Sequence, residues 1–152
     1  MSDACDRIET PEQARERKAQ ARATRAAELE AARLAQSDID LDALDDAKAK
    51  YGDTNVTVLH VPHIEGFPTF VLGRVPSTVE IKRYRDTIKP NKDNSPGDPV
   101  RACEQLAAVC RIYPESADVY KEMLDARPAI HVQLGGQCAL LAAGSAEAQS
   151  KS

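Results

Sequence analysis

Histidine and cysteine are the residue types here that could ligate a metal or act as nucleophile and base, and the chain holds three and four of them. His60 and His63 form an H-x-x-H pair, and with Cys103 and Cys110 they could offer zinc four ligands. Two features weigh against that site. In a β-strand a spacing of three sends the two imidazoles to opposite faces, and the tight ligand pairs of zinc sites are missing. A run of aspartates, Asp38, Asp40, Asp42, Asp45 and Asp46, suggests calcium instead. An EF-hand loop needs Gly at its sixth position and Glu at its twelfth. Counted from Asp38, those places hold Ala43 and Ala49, so a solvated acidic helix is the better reading. His131 falls in the first turn of a helical run and reads as an exposed or capping residue. The glycine-rich phosphate loops, the G-x-S-x-G elbow and H-E-x-x-H are all absent from the sequence. Without a nucleophile, base and orienter in sight, the expectation is a binding protein with no catalytic residues, no cofactor and no metal.

The elements that would position any site follow from composition along the chain. Residues 11–35 are rich in Ala, Arg and Glu, strong helix formers, with no Gly and no internal Pro. Thr10, Pro11 and Gln13 form a capping signature, so an extended helix is expected over 1–36 as an arm. Its apolar surface is almost entirely alanine, which buries little area, and predicts weak docking or a partner-binding role. Six basic residues against Glu12, Glu16, Glu28 and Glu30 leave this stretch at +2. Residues 37–53 reverse the sign, six aspartates against Lys48 and Lys50, and read as a short acidic helix or connector stopped by Gly52.

A β-hairpin is expected next. Val56 to Val61 is a β-branched run, Pro62 to Gly66 a turn, and Phe67 to Leu72 a second strand. Four helices follow. Ser77-Thr78-Val79-Glu80 is a capping box, and Asp98-Pro99 starts a helix through Ile112 with Val100, Cys103, Leu106, Ala107 and Cys110 on one face. Ser116 caps a third, with Val119, Tyr120, Met123 and Leu124 inward, and Pro128 begins a fourth carrying Ile130, Leu134, Cys138 and Leu141. Gly135 and Gly136 inside that last helix mark either a close helix–helix approach or a kink. The tail from 145 to 152 has no large apolar side chain and is expected to be disordered. The fold class is therefore α+β and mostly helical: one β-hairpin packed on a small C-terminal helical bundle, preceded by an extended Ala-rich helix, with the compact domain at 54–144.

A formal charge of −4 argues against non-specific nucleic-acid binding. No apolar run approaches membrane-spanning length, and the polar opening MSDACD is no secretory leader, so a soluble protein is expected in the compartment of its synthesis. Cys5, Cys103, Cys110 and Cys138 then read as reduced thiols packed in the core, with a disulfide or metal role as the alternative.

The order of elements from the hairpin onward resembles a known family. Pro76, Ser77, Glu80, Arg83 and Tyr84 form a P-S-x-x-E-x-x-R-Y helix start; Cys110 to Pro114 follows as C-R-I-Y-P, and A-R-P-A-I-H-V-Q-L-G-G-Q-C-A-L-L-A-A-G closes at Gly144. Over residues 54–144 this pattern is similar to the tail assembly chaperones of long-tailed bacteriophages; the Ala-rich helix lies outside the likeness. The resemblance implies a protein of the host bacterial cytoplasm that binds apolar helical segments of the phage tape measure protein before tail tube subunits polymerise. It also implies, for some relatives, a longer frameshifted product that recruits the tail tube protein. The hairpin face at Phe67, Phe70 and Leu72, with Tyr84, is the candidate surface for partner binding or self-association; the plain alternative is that these side chains are core. A competing class is a structural virion component, tail- or connector-associated, that uses the N-terminal helix as an arm. A regulator built on a coiled coil is a third, weakened by alanine at the would-be seam.

Overall fold

A computed structural model describes residues 8–150, with side chains through residue 144, so Cys5 and the last two residues lie outside it. Helix α1 (Pro11–Tyr51) is followed by a 3-10 turn, strands β1 (Val56–His60) and β2 (Phe70–Arg74), helices α2 (Thr78–Ile88) and α3 (Pro99–Cys110), strand β3 (Arg111–Tyr113), and helices α4 (Ala117–Ala126) and α5 (Ala129–Ser150). The fold is α+β and mostly helical, with the β1–β2 hairpin and the long N-terminal helix expected from sequence.

Thr10 caps α1 reciprocally with Gln13, each backbone N–H donating to the other side chain at 3.1 and 3.2 Å. The arm and the acidic stretch are not two elements: one helix of 41 residues runs through both. No Gly or Pro lies between them, and Ser37 and Asp38 are too weak as breakers to end a propagating helix. It stops at Gly52, whose φ of 96° is a left-handed value glycine adopts freely.

The chain divides into two units, residues 1–35 and 36–152. In the first, residues 11–35 are exposed at every position but Ala14. In the second, a three-stranded antiparallel sheet of order β1-β2-β3 pairs Val58 with Leu72 and His60 with Phe70. Strand β3 corrects the sequence expectation that α3 continues to Ile112: it pairs Tyr113 with Leu72 across an irregularity at Leu72 and Gly73.

Side-chain alternation along β1 and β2 sends apolar groups to both faces of the sheet. Val56, Phe70 and Leu72 pack with Ala43, Leu44, Ala47 and Tyr51 of α1. Leu59 and Val71 face the other way, onto Leu106, Cys110, Met123, Leu134 and Cys138 of α3, α4 and α5. Residues 36–51, read from sequence as a connector, are thus one layer of the core.

On the helical side, Cys110 and Cys138 are buried free thiols and Cys103 is half-buried. A hydrogen bond to Cys110, reinforced by burial, pushes the Cys138 thiol up. Gly135 resolves the choice between approach and kink. A Cβ there would stand 1.9 Å from the Cys103 carbonyl oxygen, whereas one on Gly136 would meet nothing within 4 Å. α3 and α5 cross at Gly135. Helix α5 is described to Ser150, and the rest of the 145–152 tail lies outside the described residues. Among the described residues, no helix is long and apolar enough to cross a membrane.

Candidate functional site: a groove between α2 and α3

The four side chains nominated from sequence do not form one surface. Phe70 and Leu72 are 5% and 0% exposed and face α1, so neither is available to a partner. Phe67 and Tyr84 are half-buried and pack against the opposite, helical core. The hairpin's two faces are both covered within the chain, as the unbroken apolar run Phe70-Val71-Leu72 on β2 requires. Tyr84 lines an open groove.

That groove lies between α2 and α3, encloses about 450 Å³, and its lining includes Glu80, Arg83, Tyr84, Gln105, Leu106 and Val109. Val79, one turn before Arg83, and Val109 are 61% and 49% exposed. Its floor is apolar and its edges carry a carboxylate, a guanidinium and an amide. Arg74 sets the geometry at one end. Its guanidinium donates to both Glu80 carboxylate oxygens at 2.8 and 2.9 Å, and its Nη2 donates to the Val109 carbonyl at 2.9 Å. One side chain from β2 therefore ties the start of α2 to the last turn of α3.

Glu80 has a second task. Its Oε1 accepts the Ser77 N–H at 2.8 Å while the Ser77 hydroxyl accepts the Glu80 N–H at 3.2 Å, closing the capping box expected from sequence. The hydrogen bonds from Arg74 hold the Glu80 carboxyl down to about 2 from its ordinary 4.5. Burial raises the Tyr84 hydroxyl, with Cys103 adding to the effect.

The sequence motif was sufficient to find Ser77 and Glu80 but not Arg74, whose role depends on two partners 6 and 35 residues away. Val100, expected inward, is 53% exposed. His131 is neither an exposed nor a capping residue: it is half-buried, its Nδ1 lies 2.8 Å from the Tyr120 hydroxyl, and desolvation lowers it. Among the described residues no three His, Cys, Asp or Glu side chains converge on a possible metal position, and His60, His63, Cys103 and Cys110 are not brought together.

The one fully buried acid among the described residues is Asp40, which the sequence pattern places on a solvated face. It accepts from Thr69 N–H at 2.9 Å, Thr69 hydroxyl at 2.7 Å and Gln36 Nε2 at 2.8 Å, and also from the Tyr113 hydroxyl. Burial, then this bond, pushes the Tyr113 hydroxyl up. A signal was present: Asp40 shares the i, i+4, i+7, i+11 face of Leu44, Ala47 and Tyr51.

No known protein family matches this chain, and comparison with curated proteins and with solved structures found no match either. Its function must be argued from its own residues.

Proposed function

We propose that this protein is a tail assembly chaperone of a long-tailed bacteriophage, acting in the host bacterial cytoplasm by binding apolar helical segments of the tape measure protein. One observation carries the reading: Glu80, Arg83 and Tyr84, three residues of the segment that resembles that family, all line the α2–α3 groove. A groove with an apolar floor and polar edges receives an amphipathic helix through anchors at i, i+3, i+4 and i+7. The chain works on this reading by reversible binding, with no catalytic residue, cofactor or metal. The tail tube protein would be a further partner through a longer product.

The test is co-expression of the full chain with the tape measure protein. Val109→Asp places a charge on the exposed groove edge without touching the Val109 carbonyl, so the fold is retained while co-purification is lost. Equal recovery of the tape measure protein by this variant would remove the groove from the mechanism.

A second reading, a structural virion component, is favoured by the exposure of residues 11–35 along the helix. Mass spectrometry of purified virions separates the two, since a chaperone leaves before the particle is finished and a structural component stays.

A further inference from the structure

A second groove in the unit of residues 36–152 differs in character from the first. It runs between the last turns of α1 and strand β3, encloses about 420 Å³, and has Ile39, Ala43, Ala47, Ile112 and Tyr113 along its floor. Ile39 is 56% exposed there. Its rim carries Asp42, Asp46 and Glu115. The single basic group, Lys50, has its ammonium 5.2 Å from the centre of the Tyr51 ring. The groove therefore selects for an apolar-faced segment bearing positive charge and repels phosphates and acidic peptides.

This sequence contains an exposed helical segment of that chemistry. Residues 11–35 are helical and exposed, and they carry Arg15, Arg17, Lys18, Arg22, Arg25 and Arg33 against four glutamates. Arg17 is engaged with Glu9 at 2.9 Å, while no bond occupies Arg22 or Arg25 among the described residues. The apolar side chains of the arm are alanines plus Leu29 and Leu34, the two leucines 39% and 57% exposed. Alanine lets a helix backbone come close to a floor that itself presents Ala43 and Ala47.

We propose that the acidic groove takes the basic arm of a second copy of this chain, the two copies exchanging arms reciprocally in an isologous dimer. This stands apart from the chaperone reading and neither requires it nor follows from it. Exposed charge pairs are individually weak and screened by salt, so the dimer is concentration- and salt-dependent.

Sedimentation equilibrium of the full chain tests the pairing at about 50 mM and about 500 mM salt. The expected result is a dimer that forms with rising concentration and weakens at the higher salt. Asp42→Lys with Asp46→Lys, or Arg22→Glu with Arg25→Glu, each weakens self-association at least tenfold; all four positions are exposed, and circular dichroism checks the fold. Mixing the two reversed proteins restores the dimer, because each acidic arm then meets a basic groove and each basic arm an acidic one. A monomer at every concentration overturns the proposal, and so does a dimer indifferent to both reversals. Reversed proteins that fail to restore each other overturn it too. Should a reversal unfold the chain, Asp42→Asn with Asp46→Asn carries the same test with a smaller loss.

Discussion

Asp40 on α1 accepts both the backbone N–H and the hydroxyl of Thr69, at 2.9 and 2.7 Å, just before β2 begins. One carboxylate thus closes two donors of the hairpin, and Gln36 and Tyr113 complete its shell. A buried carboxylate is tolerated only when its lone pairs are filled, and here the donors come from three parts of the chain. The pairing fixes which turn of α1 sits over the sheet.

Removing that carboxylate leaves its donors stranded. Asp40→Ala should cost about 3 kcal/mol of unfolding free energy, since buried N–H and O–H groups lose their acceptor. Asp40→Asn keeps one acceptor oxygen but aims an amide donor at another donor, for a loss of about 1–2 kcal/mol. Urea unfolding followed by circular dichroism measures both; an unchanged midpoint for the alanine variant would contradict the assignment.

The adjacent glycines of α5 should respond in opposite directions. Gly135→Ala drives a methyl into the Cys103 carbonyl and should destabilise by about 1–3 kcal/mol or more, because α3 and α5 must part. Gly136→Ala adds a methyl to open space and should stabilise by about 0.5–1 kcal/mol through helix propensity. Thermal melts of the pair, compared side by side, read out the sign.

Glu80 makes a pH-dependent contribution of definite sign. Its carboxyl is held at about 2 in the folded chain against an ordinary 4.5, so the unfolded chain takes up the proton first on acidification. The contribution is complete above about 4.5 and drains away as the pH falls toward 2. The stability gap between wild type and Glu80→Gln should therefore narrow over that window in a urea titration series. A gap constant from neutral pH to about 3 would show that the Arg74 bond does not favour the carboxylate.

Phe70 and Val79 separate core from surface. Phe70→Ala should lose about 3–5 kcal/mol, the range for a buried aromatic. Val79→Ser, at 61% exposure, should change stability by less than about 0.5 kcal/mol. If Phe70→Ala melts like wild type, the hairpin face is not interior.

Local information was enough for much of this architecture. Propensity and capping residues placed residues 11–35 of α1, α2, α4 and the start of α3, and the β-branched run of β1 placed the hairpin, because each depends on neighbours within a few residues. The Ser77–Glu80 box is legible for that reason. Strand β3 was not, since three residues become a strand only when β2 offers an edge to pair with. Nor was the burial of Phe70 and Leu72, because an apolar side chain looks the same whether a partner or its own chain covers it.

The sequence by itself determined the helices, the hairpin and the charge reversal between residues 11–35 and 38–53. Tertiary structure decided what those pieces do. It turned an apparent acidic connector into a core layer, made Asp40 the best-satisfied acid of the described chain, and moved the open apolar surface from the hairpin to the α2–α3 groove. The physical reason is range: propensity and capping act over one helical turn, whereas burial and the Arg74, Asp40 and Gly135 contacts join residues tens of positions apart.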